Sequence, residues 1–396
     1  MRVIEVNNTD LVGRAFNGFD LHLALIDRNI AAKQVVLEKQ SNIPSVIQLP
    51  YDEIIRQEIS YIEQKMAVSN LLFPFAEQLM DLEEYKEADI VHFHFPYHQM
   101  FSLLDYPKIM KENSIWTIHD PWILTGNCTH PMQCEQWKVE CKECGNLEDD
   151  YFPMCVDNVN FMWKIKEHVL KKINPHIVVA SHWMKKRIEQ SPLTCHFSKI
   201  HVIPFGIQAD NHADIVKKSN DGKITVGFRA ENGDIKGCSF LYEALRRLKD
   251  KKQYKLEVVG NGDIPQDISQ MYEVAEYGFV KDRKKLIEIL KRCDVFVMPS
   301  LAESFGLMAL EAMACKCVVI CFKETVIEEN INVPKCGVAV AYKSGVELAD
   351  AIEDVCASPD GLVKRQENGY RYVKEQYSFE RYVRNHVRLF EEVLKR

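Results

Sequence analysis

Short apolar segments, four to six residues long and rich in β-branched side chains, recur along the chain between longer amphipathic segments. The apolar segments predict buried strands, and the amphipathic segments predict helices. A regular alternation of the two indicates parallel sheets covered by helices on both faces. In the first half the predicted strands span residues 2–6, 35–38, 90–94, 114–118, 176–180 and 199–203, with predicted helices at 19–26 and within the acidic stretch 51–86.

The same alternation restarts after a polar stretch at 210–222. Strands are predicted at 223–227, 255–259, 294–298 and 317–322, and a final helix at 378–394. With 396 residues, 46% of them hydrophobic, the chain is long enough for two α/β units with separate cores. In sheets of this kind ligands bind beyond the carboxyl ends of the strands.

The most specific pattern follows the predicted strand 294–298. A short loop leads into a predicted helix that starts at Phe305-Gly306-Leu307 and runs to about Cys315, with Ser304 as its cap. The first N–H groups of a helix have no partner within it and the helix dipole is positive there, so this end is suited to a phosphate. Gly306 has no Cβ and lets a ligand approach the backbone closely.

Two glutamates lie on either side of this predicted anion site. Glu303 precedes the helix and Glu311 lies two turns into it. One carboxylate can therefore meet hydroxyls on one side of a bound phosphate while the other meets hydroxyls on the opposite side. A ligand with a sugar at both ends of a pyrophosphate fits this arrangement. The alternative is an amphipathic helix whose glutamates are merely solvated.

Composition narrows the class of protein. A net charge of −7 argues against a dedicated nucleic-acid binder. No apolar run has the length of a membrane span, and the first residues lack the apolar core of a signal peptide, which predicts a cytoplasmic protein. Basic residues outnumber acidic ones between 160 and 200. This excess favours either solvated helix faces or peripheral contact with anionic lipid at the inner face of the membrane.

The segment that contains both glutamates resembles the Glu-x7-Glu signature of retaining GT-B glycosyltransferases, specifically glycosyltransferase family 4. The resemblance implies a GT-B fold, in which two Rossmann-like doubly wound domains face each other across a cleft and the last helix crosses back to the first domain. The acceptor-side domain is then 1–205 with 378–396, a linker spans 206–222, and the nucleotide-sugar-binding domain is 223–377. In this family Glu303 would contact the transferred sugar, Glu311 would bind the ribose, and residues 304–307 would contact the donor.

Two further segments of the second half match the same family. The stretch 227–237 is similar to its Gly-x-Arg…Lys-Gly motif, which implies that Arg229 and Lys236 neutralise the donor phosphates. Fixed cations stabilise the charge on a departing nucleoside diphosphate without a catalytic metal. The segment 277–280 resembles the part of the family that brackets the base, and this adds Phe279 to the expected donor site.

In the first half the resemblance implies roles for two residues. The loop 10–18 lies where family members carry a glycine-containing loop near the donor phosphates and the acceptor, and Gly13 is its best match. Trp116-Thr-Ile-His-Asp120 resembles the Thr-x-His-Asp motif of the family, in which the histidine contacts the donor sugar. His119 takes that position here.

Four cysteines and one histidine are concentrated directly after this motif: Cys128, His130, Cys134, Cys141 and Cys144. Cys-x2-Cys is a common half of a zinc site, and thiolates with one histidine suit tetrahedral zinc. A similar cysteine pattern occurs in one branch of family 4, whose acceptors are typically polysaccharide repeat units. The sequence therefore predicts a structural zinc ion in the acceptor loop, with buried free cysteines or a disulfide as alternatives.

The family usually turns with glycine after the helix that carries Glu311, whereas this chain has Lys316. A lysine is strained there if the turn requires a positive φ. With this departure, the resemblance still implies a retaining glycosyltransferase. It would move a sugar from a nucleoside-diphosphate sugar to a hydroxyl of a glycan or lipid-linked oligosaccharide. The competing interpretations are a nucleotide-sugar epimerase of the same architecture and a non-catalytic, zinc-stabilised binding protein.

Overall fold

A computed structural model describes residues 1–149, 151–208, 222–233 and 235–395. The chain separates into two compact units, Met1–Phe205 with Tyr382–Arg396, and Gly206–Arg381. Most of the linker predicted at 206–222 lies outside the described residues, as does Asp234 in the predicted phosphate-binding stretch. None of the described helices combines the length and the apolar character needed to cross a bilayer.

The first unit is built on one parallel sheet. Its described strands are β1 Arg2–Val6, β2 Ala31–Val36, β3 Val46–Gln48, β4 Ile90–Phe93, β5 Ile115–Thr117, β6 His176–Val179 and β7 Ile200–Val202. Its helices are α1 Phe19–Asp27, α2 Glu53–Lys65, α3 Ala76–Asp81, α4 Glu83–Lys86, α5 Tyr106–Ile109, α6 Val159–Leu170 and α7 His182–Gln190, with 3-10 turns at Leu103–Asp105, Pro121–Leu124 and Gln136–Lys138. The strand order is β3-β2-β1-β4-β5-β6-β7, and all neighbouring strands are parallel. Successive strands are added towards one edge up to β3 and towards the opposite edge from β4 onward, so the strand order reverses between β1 and β4.

The second unit repeats this plan. Its described strands are β8 Ile224–Arg229, β9 Tyr254–Val259, β10 Glu273–Glu276, β11 Val295–Met298, β12 Val318–Phe322 and β13 Val338–Val340. Its helices are α8 Cys238–Arg247, α9 Gln266–Met271, α10 Arg283–Arg292, α11 Leu307–Ala314, α12 Val326–Asn330, α13 Gly345–Cys356 and α14 Pro359–Gln376, with a 3-10 turn at Lys251–Gln253. The parallel order β10-β9-β8-β11-β12-β13 reverses between β8 and β11, where ligands of doubly wound sheets bind.

The last helix, α15 Phe379–Leu394, returns the chain to the first unit. Its apolar face is buried from Tyr382 onward, and the rings of His386 and Phe390 lie 5.4 and 5.9 Å from that of His92 on β4. The returning helix predicted from the sequence is thereby confirmed, together with the two parallel-sheet α/β units.

The predicted acidic helical stretch 51–86 is broken into α2, α3 and α4. Ala67 and Asn70, between α2 and α3, both adopt left-handed backbone conformations, which a continuous helix excludes. The turn is stabilised by Glu63, whose buried carboxylate accepts hydrogen bonds from the N–H groups of Asn70, Leu71 and Leu72. Helical periodicity in the sequence did not reveal this interruption.

Candidate functional site

The loops after β8 and β11 meet at the point where the strand order of the second unit reverses. Gly237 adopts a left-handed conformation there, and a Cβ atom at this position would lie 2.0 Å from the carbonyl oxygen of Pro299. Leu301 N donates a hydrogen bond of 2.7 Å to the carbonyl of Ile235. The two loops therefore pack backbone against backbone.

This packing brings Lys236 beside Glu303. The Lys236 Nζ atom lies 2.7 Å from Glu303 Oε1, and the Ser300 hydroxyl donates to the same oxygen at 3.2 Å. The two charged side chains are only 21% and 15% exposed. Glu303 is therefore held in a fixed position at the sheet edge, which disagrees with the alternative in which this glutamate is merely solvated.

We expect Gly237→Ala to lower the free energy of unfolding of the second unit by about 2–5 kcal/mol, because the methyl group meets a backbone carbonyl and alanine is strained at positive φ. Gly233→Ala is the matched control: Gly233 also has a positive φ but open space around its Cβ position, so it should cost about 1 kcal/mol. Thermal unfolding of the two variants tests this. Equal destabilisation would show that the contact with Pro299 does not constrain the loop.

Arg229, at the end of β8, forms an ion pair with Glu231. The loop after β9 lies against this segment, since Cβ atoms on Gly260 or Gly262 would collide with the backbone of Ala230 and Glu231. Asn261 in the same loop accepts a hydrogen bond of 2.9 Å from Phe279 N, and the Phe279 side chain is 58% exposed. The predicted residues Arg229 and Phe279 are thus joined to one edge of the sheet by the Gly-Asn-Gly loop.

The helix α11 begins later than predicted and without a side-chain cap. Its N-cap residue is Gly306 in a left-handed conformation, so Ser304 is not the cap and Leu307 is the first helical residue. Phe305 is buried, and its carbonyl accepts a hydrogen bond from the amide of Asn330. The first N–H groups of α11 have no acceptor within the helix, and they lie at the carboxyl edge of the sheet directly after Glu303.

The end of α11 agrees with the sequence prediction. Cys315 is the C-cap, and Lys316 has φ 58. The turn after α11 therefore does require a positive φ, and the lysine occupies the left-handed position that glycine usually fills. Its ammonium group pairs with Glu367 at 2.6 Å.

Glu311 lies in the second turn of α11, beside Arg283 of α10. The Arg283 Nη2 atom is 3.4 Å from Glu311 Oε1, and the carboxylate is 17% exposed. Burial raises the pKa of Glu311, and the attraction of Arg283 offsets part of that rise. Arg283 and Glu231, the charged partners of two predicted residues, were not predicted. Arg283 lies outside the matched segments, and Glu231 is at an unspecified position between the arginine and the lysine of the matched stretch 227–237.

In the first unit His119 and Gly13 are brought together by aromatic packing. His119 is buried and stacked between the rings of Phe95 and Phe205, at centroid distances of 4.2 and 5.6 Å. Burial and the nearby His94 and His92 hold the pKa of His119 well below its usual range, so its imidazole is neutral. Its Nε2 atom has no hydrogen-bond partner among the described residues.

Gly13 has φ 72, and its carbonyl accepts hydrogen bonds from the N–H groups of Phe16 and Asn17. A Cβ on Gly13 would lie 2.6 Å from the Phe16 ring, and that ring is 5.8 Å from His119. The tight turn at Gly13 therefore places Phe16 against the predicted histidine. Both residues lie at the edge of the first sheet where the loops after β1 and β5 meet.

The cysteine-rich loop does not have the geometry of a zinc site. Cys128, Cys134, Cys141 and Cys144 are all free thiols, so the disulfide alternative is not formed either. Burial raises the pKa of Cys128 to about 12 and that of Cys141 to about 11, which keeps both protonated. Among the described residues, no three of these thiols and His130 come within metal-ligand distance of one another. The structure does not support the predicted structural zinc.

A different group of metal-ligand type does occur in the first unit: Glu5, His92 and His94. All three are fully buried, and Glu5 Oε2 lies 2.9 Å from His92 Nδ1 and 2.6 Å from His94 Nε2. The His94 contact is a hydrogen bond, whereas His92 forms its hydrogen bond through Nε2 to the hydroxyl of Thr117. Burial alone would raise the pKa of Glu5, but attraction to His92 and His94 outweighs it and lowers the pKa. The group is a buried carboxylate held by two imidazoles.

Part of the chain that forms the second unit matches a known protein family. Residues 211–372 match the family described as glycosyl transferases group 1. The second unit carries a glycosyltransferase group 1 domain. This match covers the region that contains Arg229, Lys236, Glu303 and Glu311.

Curated relatives extend the comparison. The putative colanic acid biosynthesis glycosyl transferase WcaC of Escherichia coli (strain K12) is 22% identical over 340 residues, which cover 78% of this chain and 79% of that protein. The N,N'-diacetylbacillosaminyl-diphospho-undecaprenol alpha-1,3-N-acetylgalactosaminyltransferase of Campylobacter jejuni is 32% identical over 119 residues, which cover 30% of this chain and 31% of that enzyme. The chain is accordingly a glycosyltransferase with homologues in polysaccharide biosynthesis.

Solved structures support the fold. Sucrose-phosphate synthase from Thermosynechococcus elongatus covers the whole chain with a TM-score of 0.70 at 16% identity, and 100% of that chain is matched. The Anabaena protein HepE in complex with UDP covers 99% of this chain and 100% of its own with a TM-score of 0.66 at 14% identity. The two parallel-sheet units of this glycosyltransferase match those of GT-B enzymes.

Proposed function

We propose that the protein transfers a sugar, with retention of anomeric configuration, from a nucleoside-diphosphate sugar to a hydroxyl of a glycan or lipid-linked oligosaccharide. The observation that carries this proposal is the Lys236–Glu303 pair, held at the strand-order reversal of the second unit directly before α11. A cation for a phosphate, a carboxylate for a sugar hydroxyl and a helix N-terminus stand together there. Retention and membership of family 4 rest on the Glu-x7-Glu resemblance.

Charge at this edge supports a diphosphate ligand. Arg229 and Lys236 are paired with Glu231 and Glu303 respectively, and a diphosphate would accept charge-assisted hydrogen bonds from the same two cations. The first turn of α10 carries three further cations, Arg283, Lys284 and Lys285. The helix dipole disfavours cations at that end, so an anionic ligand would offset their repulsion. The UDP complex of HepE is consistent with such a donor.

The reaction consists of one exchange at the anomeric carbon. The bond from this carbon to the diphosphate oxygen breaks, and a bond to the acceptor oxygen forms on the same face. The departing phosphate takes the acceptor proton, so no protein nucleophile is required. Arg229, Lys236 and the first amides of α11 stabilise the growing negative charge on the diphosphate. Transfer is therefore expected to persist in the presence of a chelator.

The acceptor class is proposed from the relatives. WcaC is named for colanic acid biosynthesis, and the Campylobacter enzyme is named for transfer to a diphospho-undecaprenol carrier. Both names support a growing glycan as the acceptor.

A nucleotide-sugar epimerase would instead convert the donor with no acceptor present, so formation of a glycosylated product separates the two activities. A thermal-shift screen of UDP- and GDP-sugars, followed by transfer assays with the stabilising donor, tests the proposal. Donor conversion without acceptor would contradict it.

Glu311 offers a test of the nucleotide end of the site. We expect Glu311→Gln to weaken binding of the nucleoside diphosphate by roughly 10- to 100-fold, because a buried carboxylate that accepts two ribose hydroxyls is replaced by an amide. Titration calorimetry with UDP and GDP measures the effect, and Glu367→Gln, at the exposed end of the Lys316 pair, is the control. Unchanged affinity for the nucleoside diphosphate in Glu311→Gln would refute the proposal that Glu311 binds the ribose.

A further inference from the structure

The helix α2 packs with its apolar side facing solvent. Ile54, Ile55, Tyr61 and Ile62, with Met66 at the C-cap, are 72%, 55%, 56%, 45% and 55% exposed. At 100° per residue these five side chains fall within one arc of the helix, here called the α2 face. The buried residues of α2 are Arg56 and Glu63, which are charged. An amphipathic helix on a protein surface normally shows the opposite orientation.

Polar contacts hold α2 in this orientation. Arg56 forms ion pairs with Glu38 at 2.6 Å and with Glu53 at 2.9 Å. Glu63 accepts three backbone hydrogen bonds from the following turn, at 2.6 to 2.8 Å. Rolling the helix to bury its apolar side would break all of these contacts and leave two charges without partners. The α2 face is therefore a stable feature of the surface.

The apolar surface continues beyond the end of the helix. The Cys155 thiol donates to the carbonyl of Gln64 at 3.2 Å, and the Asn158 amide donates to that of Met66 at 3.3 Å. These bonds hold the segment 155–158 against the last turn of α2. Val156 in this segment is 58% exposed. A contiguous exposed apolar surface of this kind marks an interaction site.

The charges on the α2 face indicate what covers it. Glu58 and Lys65 are both exposed and lie two turns apart within the same arc, and Tyr61 and Ile62 lie midway between them. In an antiparallel pair of α2 helices related by a two-fold axis at this midpoint, Glu58 of each copy lies opposite Lys65 of the other. Two reciprocal ion pairs then flank a central contact of Tyr61 and Ile62, while Met66 and Val156 point towards Ile54 and Ile55 of the second copy.

We propose that the α2 face is the two-fold interface through which two copies of this chain associate. Self-complementary surfaces of this type are the usual basis of homodimers. The proposal does not depend on the glycosyltransferase assignment, because it uses none of the residues proposed to bind the donor.

An anionic membrane fits the α2 face less well. Glu58 would enter the lipid surface without a cation beside it, and Asp52 and Glu53 lie at the start of the same helix. The basic stretch 160–200 does not compensate. Lys166 is fully buried and donates to the carbonyls of Trp122 and Thr125, while Lys164 and Lys171 are paired with Glu140 and Glu167.

Reversing the charges of Glu58 and Lys65 by substitution tests whether they face each other across the proposed two-fold axis. In sedimentation equilibrium of the full-length protein, Ile62→Glu should raise the dimer dissociation constant at least about tenfold, because it places two like charges at the centre of the contact. Glu58→Lys and Lys65→Glu should each weaken the dimer, and the double variant should restore it. Val363→Glu, a change at another exposed apolar position on α14, should leave the association unchanged. Thermal unfolding of each variant shows whether it is folded.

Three results would overturn the proposal. The first is a wild-type protein that is monomeric at every concentration. The second is a dimer whose dissociation constant is the same in Ile62→Glu. The third is a double variant as weak as the single ones. Wild-type protein that sediments with phosphatidylglycerol vesicles while monomeric in solution, and loses this binding in Ile62→Glu, would assign the α2 face to lipid.

Discussion

Glu303→Gln is expected to lower the rate of sugar transfer at saturating donor by about 10²- to 10³-fold, a loss typical of removing one preorganised hydrogen-bonding contact to a transition state. The affinity for the nucleoside diphosphate alone should not fall, and it is expected to rise slightly. Glu303 neutralises Lys236 across 2.7 Å, and an amide leaves the full charge of the lysine available to the phosphates. Transfer and nucleotide binding should therefore change in opposite directions.

Steady-state assays of transfer, combined with calorimetric titration of UDP and GDP, measure the two effects separately. Glu243→Gln is a suitable control, because Glu243 forms an exposed ion pair with Arg247 on α8 of the same unit. A general loss of folding would lower both transfer and binding. Near-normal transfer in Glu303→Gln would refute the assignment of the sugar-binding carboxylate and, with it, the proposed site.

The second large expected effect is a loss of folding stability as the pH falls below neutral. Burial lowers the pKa of His94 to about 4 and that of His386 to about 3, whereas an unfolded histidine titrates near 6.5. Above that pH both states are neutral. As the pH falls below it, the unfolded chain binds protons that the folded chain excludes, and stability is lost. From pH 7 to pH 5 each of these two histidines should cost about 2 kcal/mol of unfolding free energy.

Other groups act in the same direction. Burial also lowers the pKa of His22 and of His98 to about 4. The lowered pKa of Glu5 means that its contribution is complete above its unfolded pKa of about 4.5 and is lost only below that value. The first unit should therefore become unstable between pH 6.5 and pH 4.

Urea unfolding at a series of pH values tests this loss, with tryptophan fluorescence as the probe. All five tryptophans lie within residues 116–183, so this signal reports the first unit alone. His386→Gln should reduce the pH dependence, whereas His168→Gln, at an exposed position on α6, should not change it. A midpoint that does not move between pH 7.5 and pH 5 would show that the buried histidines do not titrate as described.

The sequence predicted the central strands well because they are buried on both faces and carry mostly β-branched or aromatic side chains. The predicted segments 2–6, 90–94 and 294–298 differ from β1, β4 and β11 by at most one residue. It missed β3, β10 and β13, which have only three or four residues each and lie at or near sheet edges. Such strands depend on pairing with a neighbour more than on their own apolar character.

For the candidate site, too, some features follow from the local sequence and others depend on tertiary packing. Local patterning was sufficient for the strand-loop-helix that carries Glu303 and Glu311. It could not provide the partners of these residues. Arg283 reaches Glu311 through the packing of α10 on α11, and Lys236 reaches Glu303 through contacts between segments more than sixty residues apart. The prediction of a zinc site is not supported, because the cysteines are close in sequence but no three of their sulfur atoms come within metal-ligand distance of one another in the described residues.

The close approach of Gly237 to Pro299 has a consequence for kinetics. Because the two backbones interlock, neither loop can open without disturbing the other, and the charged side chains between them have little freedom before a donor arrives. The entropy of ordering this part of the site is lost when the protein folds, not when it binds. Donor capture at these loops should therefore proceed as a single diffusional step, with no slow phase from local rearrangement.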